Sequence, residues 1–277
     1  MTIDAETAWA ALLRARTVWR GGSPPAPVEI ADSAGGALEL SPDGTWQASG
    51  CAVQAGAAAL LELYLPLLRP TLAIGQLGQS LDGRIATRTG HSHYVTGPES
   101  LVHLHRLRAL VDAVVVGAGT VLADDPRLTV RHCPGANPLR VVLDPRRRLT
   151  DAHHVFTDGA APTLVIGAVD GAAPGAARSE TLPLAAGEDG FAPARILGLL
   201  AARGARRVLV EGGGVTVSRF LAAGALDVLH VAIAPMLIGS GRQGISLPPI
   251  DRLDQALRPQ ARRIPLGEDM LYALSFR

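Results

Sequence analysis

From Thr71 onward, short apolar runs alternate with longer amphipathic segments. The runs predict buried strands, and the amphipathic segments predict helices. Because strands that alternate with helices are typical of sheets covered on both faces, the pattern indicates an α/β fold. The predicted strands are Thr71–Gly78, Ala113–Gly117, Leu139–Asp144, Thr163–Ala168, Arg207–Val210, Leu226–Ala234 and Met270–Phe276, and the predicted helices are Pro98–Leu110, Ala192–Arg203 and Val215–Ala223.

The end of the chain follows a different pattern. The last two predicted strands, Leu226–Ala234 and Met270–Phe276, are separated by a long loop and not by a helix. Strands joined without a crossover helix are typical of antiparallel pairs, so we expect an antiparallel edge on a mixed sheet. Residues 171–190 are rich in Ala, Gly and Pro, which predicts a surface loop.

The first 69 residues lack this alternation. Helical periodicity predicts helices at Glu6–Arg20 and Ala55–Leu68, and the turn residues within Leu38–Trp46 indicate a hairpin. No motif in this part of the chain carries recognisable chemistry. We therefore expect two domains: residues 1–69, an N-terminal extension of unknown role, and residues 70–277, which carry the function.

Composition and charge exclude several classes of protein. The chain has 277 residues, and 26 basic against 25 acidic side chains give a net charge of +1. No overall field therefore draws it to nucleic acid or to an anionic membrane. Every basic residue other than histidine is Arg, which excludes a Schiff-base lysine and a P-loop lysine.

The two cysteines and the apolar runs exclude further classes. Cys51 and Cys133 stand far apart, so there is no disulfide framework and no cysteine spacing of a zinc deaminase. The sequence has neither an apolar run long enough for a membrane span nor a secretory signal. We therefore expect a cytoplasmic protein.

Three motifs follow predicted strands, at the sheet edge where open α/β folds bind ligands. The stretch Glu211-Gly212-Gly213-Gly214 precedes a helix, so its N–H groups could cradle a pyrophosphate, or the glycines could serve only close packing. Its Glu211 could anchor a ligand N–H or act as a structural cap. Ser80–Ala86 contains an Asp82-Gly83 turn. Gly117–Arg131 contains two adjacent aspartates, which fit a helix cap or a ribose hydrogen bond better than a metal.

Arginine and histidine side chains give further candidates. Arg108 and Arg131 could grip one phosphate together with Ser92, or each arginine could be a surface charge. Several histidines come in near pairs, namely His91, His93, His103, His105, His132, His153 and His154. Because no H-E-x-x-H motif is present, we interpret them as residues of solvated faces and loops and predict no metal site.

The motifs Ser80–Arg84, Thr120–Arg131 and Val210–Gly213 together resemble those of one family. From about Arg69 to Arg277 the chain resembles the reductase domain of the riboflavin-biosynthesis deaminase/reductase, the RibD C-terminal family, which is dihydrofolate-reductase-like. The resemblance implies a mixed, mostly parallel sheet flanked by helices. It also implies NADPH-dependent reduction of a 5-phosphoribosylamino-pyrimidine, such as 5-amino-6-(5-phosphoribosylamino)uracil, to its ribitylamino form. Hydride would pass to ribose C1′ of the ring-opened imine, and no deaminase activity is expected.

The resemblance also assigns residues by position. The substrate contacts would be Gln76, Ser92, Arg108, Leu128, Arg131 and Glu211, with the phosphate end of the substrate at Arg108 and Arg131 and its pyrimidine at Glu211. The NADPH contacts would be Gly78, Tyr94, Thr120, Asp124, Gly213, Gly214, Val215, Thr216, Val217, Ser218 and Arg219. We expect no single catalytic side chain, because the coenzyme carries the reacting hydride.

One departure from the family leaves alternatives open. Gln76 stands where the bacterial members usually have a lysine, and this neutral amide in place of a cation leaves open whether the deaminated or the amino form of the pyrimidine is bound. The alternatives are a related NADPH reductase acting on another pyrimidine or a pterin, and a non-catalytic nucleotide-binding protein. By analogy, and from the apolar alternation of Leu229, Val231 and Ile233, we also expect a homodimer.

Overall fold

The computed structural model describes residues 2–20, 26–31, 33, 35–93, 95–168, 179–187 and 190–276. The chain divides into two compact units, Met1–Leu72 and Ala73–Arg277. The elements of the first unit are β1 (Thr2–Ile3), α1 (Ala5–Val18), β2 (Val28–Ala31), β3 (Ala37–Leu40), β4 (Trp46–Ser49), β5 (Ala52–Val53) and α2 (Ala55–Tyr64), with a 3-10 turn at Leu65–Leu68 after α2.

The first unit pairs two helices with a small antiparallel sheet. The Asp4 carboxylate caps α1 by accepting the Thr7 N–H at 2.8 Å. The α1 helix packs on α2, where the Trp9 ring stands edge-on to Tyr64 with centroids 5.6 Å apart. Strands β2, β3 and β4 form the antiparallel sheet in that order. Both predicted helices and the predicted hairpin are therefore confirmed, and β2 adds a third strand to the hairpin.

The second unit is a large α/β structure, and its first strand lies within it except for the strand's first residue, Leu72. Its strands are β6 (Leu72–Ser80), β7 (Arg84–Ala86), β8 (Ala113–Gly117), β9 (Leu139–Asp144), β10 (Thr163–Gly167), β11 (Ser179–Pro183), β12 (Arg207–Val210), β13 (Val228–Ala234), β14 (Arg242–Gln243), β15 (Gln260–Leu266) and β16 (Asp269–Ser275). Its helices are α3 (Pro98–Leu110), α4 (Ala118–Asp124), α5 (His154–Thr157), α6 (Pro193–Ala202) and α7 (Gly214–Ala222).

Nine of these strands form one mixed sheet in the order β11-β10-β9-β8-β12-β6-β13-β16-β15. The strands from β11 to β12 pair in parallel, and β13 is parallel to β6. Strands β16 and β15 form the antiparallel edge. The predicted mixed, mostly parallel sheet is thus confirmed. The chain starts the sheet at its centre, because β6 is flanked by β12 and β13, which follow it only much later in sequence.

Helix α3 is tied to the antiparallel edge of the sheet. The buried carboxylate of Asp269, at the start of β16, accepts the Gly97 N–H at 2.7 Å and the Ser100 hydroxyl at 2.6 Å. Pro98 occupies the first turn, where a missing N–H costs nothing. A residue 172 positions away in sequence therefore caps this helix, and the cap fixes the direction of the helix that carries Arg108.

Three sequence-based expectations are corrected. The predicted loop 171–190 contains the edge strand β11, and residues 169–178 and 188–189 lie outside the described part. Strand β15 was not predicted, because most of its residues are exposed and no apolar alternation marks it. The strand carrying Leu229, Val231 and Ile233 is not a sheet edge available to a partner, because β13 lies between β6 and β16.

Candidate active site

A cavity of about 750 Å³ opens beside the carboxyl ends of β6, β8 and β12. Strand β12 inserts between β8 and β6, so connections leave the sheet in opposite directions there, and a crevice forms where such folds bind ligands. The cavity is lined by Gln76, Leu77, Gly78, Ile85, Ala86, Gly90, Ser92, Leu104, Arg108, Val116, Gly117, Gly119, Thr120, Ala123, Asp124, Pro126, Leu128, Glu211, Gly212, Gly213, Gly214, Val215, Thr216, Arg242, Gln243 and Ser246.

One half of the cavity is made by the glycines between β12 and α7. Helix α7 has Gly213 at its N-cap and no side-chain cap, so its first N–H groups face the cavity without a side-chain acceptor of their own. The Gly213 N–H donates to the Thr120 hydroxyl oxygen at 2.9 Å. Gly212 has φ +94°, and a Cβ there would stand 2.6 Å from the same oxygen. Thr120 therefore fixes the glycine turn from across the cavity.

The next glycine is enclosed by main chain. A Cβ on Gly214 would collide with the carbonyl oxygens of Gly244 and Gln243. The segment after β14 is held over the start of α7 by a hydrogen bond of 2.9 Å from the Ser246 N–H to the Ser218 hydroxyl. This enclosure makes glycine the residue that fits at position 214, because carbonyl oxygens occupy the space that a Cβ would need. We call residues 212–214 the glycine cradle, and main-chain N–H groups at such a helix start are where anions bind.

The other half of the cavity is built on a buried ion pair. Arg108 Nη2 lies 2.7 Å from Glu211 Oε1, and Arg108 Nε donates to both Glu211 oxygens at 3.1 and 3.3 Å. Arg108 Nη1 donates to the Thr129 carbonyl at 3.1 Å. Both charged side chains are buried. The sequence placed these residues at opposite ends of a substrate, whereas the structure brings them into direct contact, so Arg108 orients Glu211.

Arg131 lies behind this pair and not on the cavity wall. Its guanidinium donates to the Thr129 hydroxyl at 2.7 Å, and its backbone N–H donates to His105 Nδ1 at 2.8 Å. Burial and the nearby charge of Arg108 lower the pKa of Arg131. Leu128 lines the cavity with φ +55°, a left-handed conformation that is strained for a residue with a Cβ.

The predicted coenzyme residues do not all line this cavity, and Ser218 is buried, where its hydroxyl accepts the Ser246 N–H. Gly78, Thr120, Asp124 and residues 213–216 line the cavity, and the Asp124 carboxylate accepts the Ser92 hydroxyl at 3.0 Å. Val217 is buried in the hydrophobic core and does not reach the cavity, because α7 turns this side chain toward the sheet. Tyr94 lies outside the described residues.

Arg219 belongs to a smaller, adjoining cavity of about 380 Å³. This cavity shares Gly117, Val215 and Thr216 with the larger one, and so continues past the start of α7. Its wall includes two further arginines, Arg146 and Arg148. Three guanidinium groups therefore gather beyond the glycine cradle.

Sequence reasoning underestimated Asp82. Its carboxylate accepts the Ser80 hydroxyl at 2.5 Å and the N–H groups of Ile238 and Gly239 at 3.1 and 2.6 Å. Those hydrogen bonds, the Ser80 bond first, lower the pKa of Asp82 to about 2. Asp82 thus does more than shape its own turn: it ties the loop after β13 to the end of β6.

Two of the histidines are corrected from solvated to buried. His103 Nε2 lies 3.0 Å from His230 Nδ1, and both rings are buried between α3 and the sheet. Burial, followed by the charges of His230 and Arg106, lowers the pKa of His103. Burial and Arg262 lower the pKa of His230 to about 4. Burial lowers the pKa of His105, also enclosed, to about 3.

Neither a metal site nor a membrane helix emerges from the described residues. Within them, no group of three or more His, Cys, Asp or Glu side chains is arranged to hold a metal ion. No helix among them has the length and apolar character needed to cross a bilayer.

Comparison with known proteins identifies the family of the second unit. Residues 73–263 match the RibD C-terminal domain. The chain belongs to the RibD C-terminal domain family. It is 38% identical over 214 residues to the 2,5-diamino-6-ribosylamino-4(3H)-pyrimidinone 5′-phosphate reductase of Methanothermobacter thermautotrophicus, covering 74% of this chain and 97% of the relative.

Relatives named RibD are longer than the part they share with this chain. The riboflavin biosynthesis protein RibD of Aquifex aeolicus is 33% identical over 210 residues, which are 75% of this chain but 58% of that protein. The deaminase/reductase of Thermotoga maritima superposes with a TM-score of 0.64 at 26% identity, covering 82% of this chain and 64% of the other. The predicted RibD-type fold is therefore confirmed.

Proposed function

We propose that this RibD-family chain catalyses the NADPH-dependent reduction of a 5-phosphoribosylamino-pyrimidine to its ribitylamino form, as a step of riboflavin biosynthesis. The observation that carries the proposal is the union, in one cavity, of an uncapped glycine-led helix start with a buried, oriented Glu211 carboxylate. The relatives named as pyrimidinone phosphate reductases support the same reaction class.

The cavity fits a dinucleotide coenzyme by its shape and donors. Gly213, at the N-cap of α7, offers no side-chain acceptor to the first N–H groups of the helix, and residues 213–216 line the cavity, so this helix start suits a pyrophosphate. When bound, NADPH supplies the hydride that adds to ribose C1′ of the ring-opened imine. Residues 213–216 and Thr120 would hold the coenzyme, and Gly78 lines the same cavity near the end of β6.

The protein side chains orient the substrate in this scheme. Arg108 fixes both oxygens of Glu211, which can then accept hydrogen bonds from N–H groups of a pyrimidine. Ser92 and Leu128 line the same cavity, and Arg131 stands behind it as a source of positive potential for the sugar phosphate. No cavity side chain is assigned the role of proton donor, because solvent or the substrate can protonate the imine nitrogen.

The preference for NADPH over NADH rests on the adjoining arginine cavity. Arg146, Arg148 and Arg219 line one cavity that adjoins the glycine cradle, and guanidinium groups suit a ribose 2′-phosphate. Turnover with each coenzyme tests this assignment. A kcat/KM for NADPH at least about tenfold above that for NADH, equivalent to about 1.4 kcal/mol, is expected. Equal values would remove the 2′-phosphate assignment.

The identity of the pyrimidine is tested by turnover of purified protein. The deaminated substrate and its 2,5-diamino form are offered separately with NADPH, and NADPH oxidation is followed by absorbance. We expect oxidation with at least one of them, with deuterium from C4-labelled NADPH appearing at C1′ of the product. Oxidation with a pterin alone would support the alternative reductase. Coenzyme binding without oxidation of NADPH by any pyrimidine would support a non-catalytic role.

A second copy of this chain is the partner that the surface favours. Between β14 and β15 the chain exposes Leu247, Ile250, Leu253 and Leu257, and β15 forms a sheet edge. Such an apolar segment beside an open edge suits a symmetric interface. Light scattering should give the mass of two chains, and Leu253→Asp together with Leu257→Asp should give the mass of one. A wild-type mass of one chain would contradict the homodimer.

A further inference from the structure

Among the described residues, two arginines line the main cavity, and they differ in how they are bonded. Arg108 is held by Glu211 and by the Thr129 carbonyl. The Arg242 side chain makes no hydrogen bond or ion pair with any residue that the structure describes, and it is exposed. A guanidinium at a cavity wall without a counter-ion is available to an incoming anion.

The ribbon that carries Arg242 is anchored at its base. Strand β14 pairs antiparallel with β7, which places Arg242 opposite Ala86. Asp82 ties the loop leading into β14 to the end of β6, and the Ser80 hydroxyl that bonds Asp82 also accepts the Arg84 N–H at 2.9 Å. Hydrogen bonds within the protein therefore fix the position of the Arg242 backbone before any ligand binds.

The guanidinium is placed by a glycine on the opposite turn. A Cβ on Gly90 would stand 2.8 Å from Arg242 Nη2 and 3.1 Å from Cζ, so the guanidinium lies against the bare Cα of Gly90. Gly90 has φ +98°, which only glycine adopts without strain. Contact along one side of the planar group leaves its other donors toward the cavity that it lines.

The charges around the cavity make Arg242 the group that can neutralise a ligand. Arg108 and Glu211 neutralise each other, and Asp124 adds a negative charge that is bonded to Ser92. The carbonyl of Gln243, the next residue after Arg242, lies against Gly214 at the start of the cradle. Resting on the proposed reductase function, we propose that Arg242 binds a phosphate oxyanion of the bound ligands, supplied either by the coenzyme pyrophosphate or by the sugar phosphate.

The test compares Arg242→Ala, Arg242→Gln and Arg242→Lys with Arg88→Ala. Arg88 lies on the exposed turn between β7 and Gly90 and does not line the cavity, so its loss changes the net charge equally. Dissociation constants are measured for NADPH without substrate and for ribose 5-phosphate without coenzyme, at low and at raised salt. Thermal melting of each variant checks that the fold is retained.

We expect Arg242→Ala to weaken one of the two ligands about tenfold or more at low salt, with partial recovery in Arg242→Lys and a change below about twofold in Arg88→Ala. Weakened NADPH binding alone assigns Arg242 to the coenzyme, and weakened ribose 5-phosphate binding alone assigns it to the sugar phosphate. Unchanged affinity for both ligands would overturn the proposal, as would equal losses in the Arg88 variant. These binding measurements need no turnover, so an inactive wild type that binds NADPH would contradict the reductase function and leave the Arg242 assignment decided.

Discussion

The glycine half of the cavity consists of residues 212–215 and Thr120. It is built from main-chain groups and a single hydroxyl. The ion-pair half consists of Arg108, Glu211 and Thr129. It is built from two buried charged side chains that form an ion pair with each other. The glycine half is sensitive to added volume, because a Cβ on Gly214 meets backbone that cannot rotate away. The ion-pair half is sensitive to the loss of a charge, because removing either Arg108 or Glu211 would leave the other side chain buried without its counter-ion. One cavity thus combines two kinds of vulnerability.

The largest effect is expected from breaking the ion pair. Arg108→Met leaves the Glu211 carboxylate buried without its partner, and we expect a loss of about 3–5 kcal/mol in the free energy of unfolding, measured by urea denaturation. The double variant Arg108→Met with Glu211→Met should regain most of that stability and remain inactive. A single variant as stable as the wild type would show that the ion-pair half is not governed by charge.

Protonation of the buried histidines at low pH should also destabilise the fold, because it would create buried charges. The pKa of His103 is lowered and that of His230 is about 4 in the folded protein, so below the ordinary pKa of 6.5 the unfolded chain binds protons first. The stability contributed by the neutral rings is therefore complete above pH 6.5 and is lost as the pH falls toward 4. The free energy of unfolding, measured by urea denaturation across that interval, should decline by about 2 kcal/mol or more.

The matched control for this prediction uses a buried pair and an exposed residue. The double variant His103→Leu with His230→Leu should reduce the decline and leave the part that comes from buried His105, whereas His91→Gln, on an exposed loop, should follow the wild type. An unchanged slope in the double variant would mean that other groups cause the acid sensitivity.

Two neighbouring glycines, Gly213 and Gly214, test whether the glycine half is sensitive to added volume. A Cβ on Gly214 meets the Gly244 carbonyl, whereas a Cβ on Gly213 comes no closer than 3.4 Å to any atom, the Thr120 hydroxyl oxygen. We expect Gly214→Ala to cost about 1–3 kcal/mol of stability and to weaken NADPH binding severely. Gly213→Ala should stay close to wild type in stability. Equal effects of the two substitutions would show that added volume is not the deciding quantity.

The smallest effect is expected at Thr120. Thr120→Val keeps the shape of the side chain and removes the oxygen that accepts the Gly213 N–H. We expect a loss of about 1 kcal/mol, seen as a modest rise in the NADPH dissociation constant while substrate affinity stays unchanged. A larger rise for the substrate than for the coenzyme would place Thr120 in the other half of the cavity.

The sequence allowed much of this site to be predicted, but not its contacts. The glycine cradle was recognisable because three glycines between a strand and a helix leave a local pattern. The Arg108–Glu211 pair joins residues 103 positions apart, and no local pattern records such a contact. Arg242 lies on a two-residue strand with no periodicity of its own, so only the folded ribbon shows that it lines the cavity.

The prediction for the histidines was wrong, and strand β15 was missed, for related reasons. His103 and His105 sit two positions apart on α3 and were assigned to solvated faces, yet both are buried, because the helix is covered on more than one side. Strand β15 carries exposed arginines and no alternating apolar residues, since it pairs with the sheet on one side only. Interpreting a polarity pattern assumes how many sides of a helix or strand are covered by the rest of the protein. The prediction is wrong where the fold covers more sides than assumed, as at α3, or fewer, as at β15.

The position of β6 bears on how the protein is made. Synthesis delivers this apolar strand before any other strand of the large sheet, and the two strands that flank it, β12 and β13, leave the ribosome more than a hundred residues later. Until then its edges have no native neighbour in the second unit, and pairings distant in sequence form slowly. Completion of the sheet therefore waits until β16 has been synthesised, and until then the apolar strand β6 can associate with non-native strands.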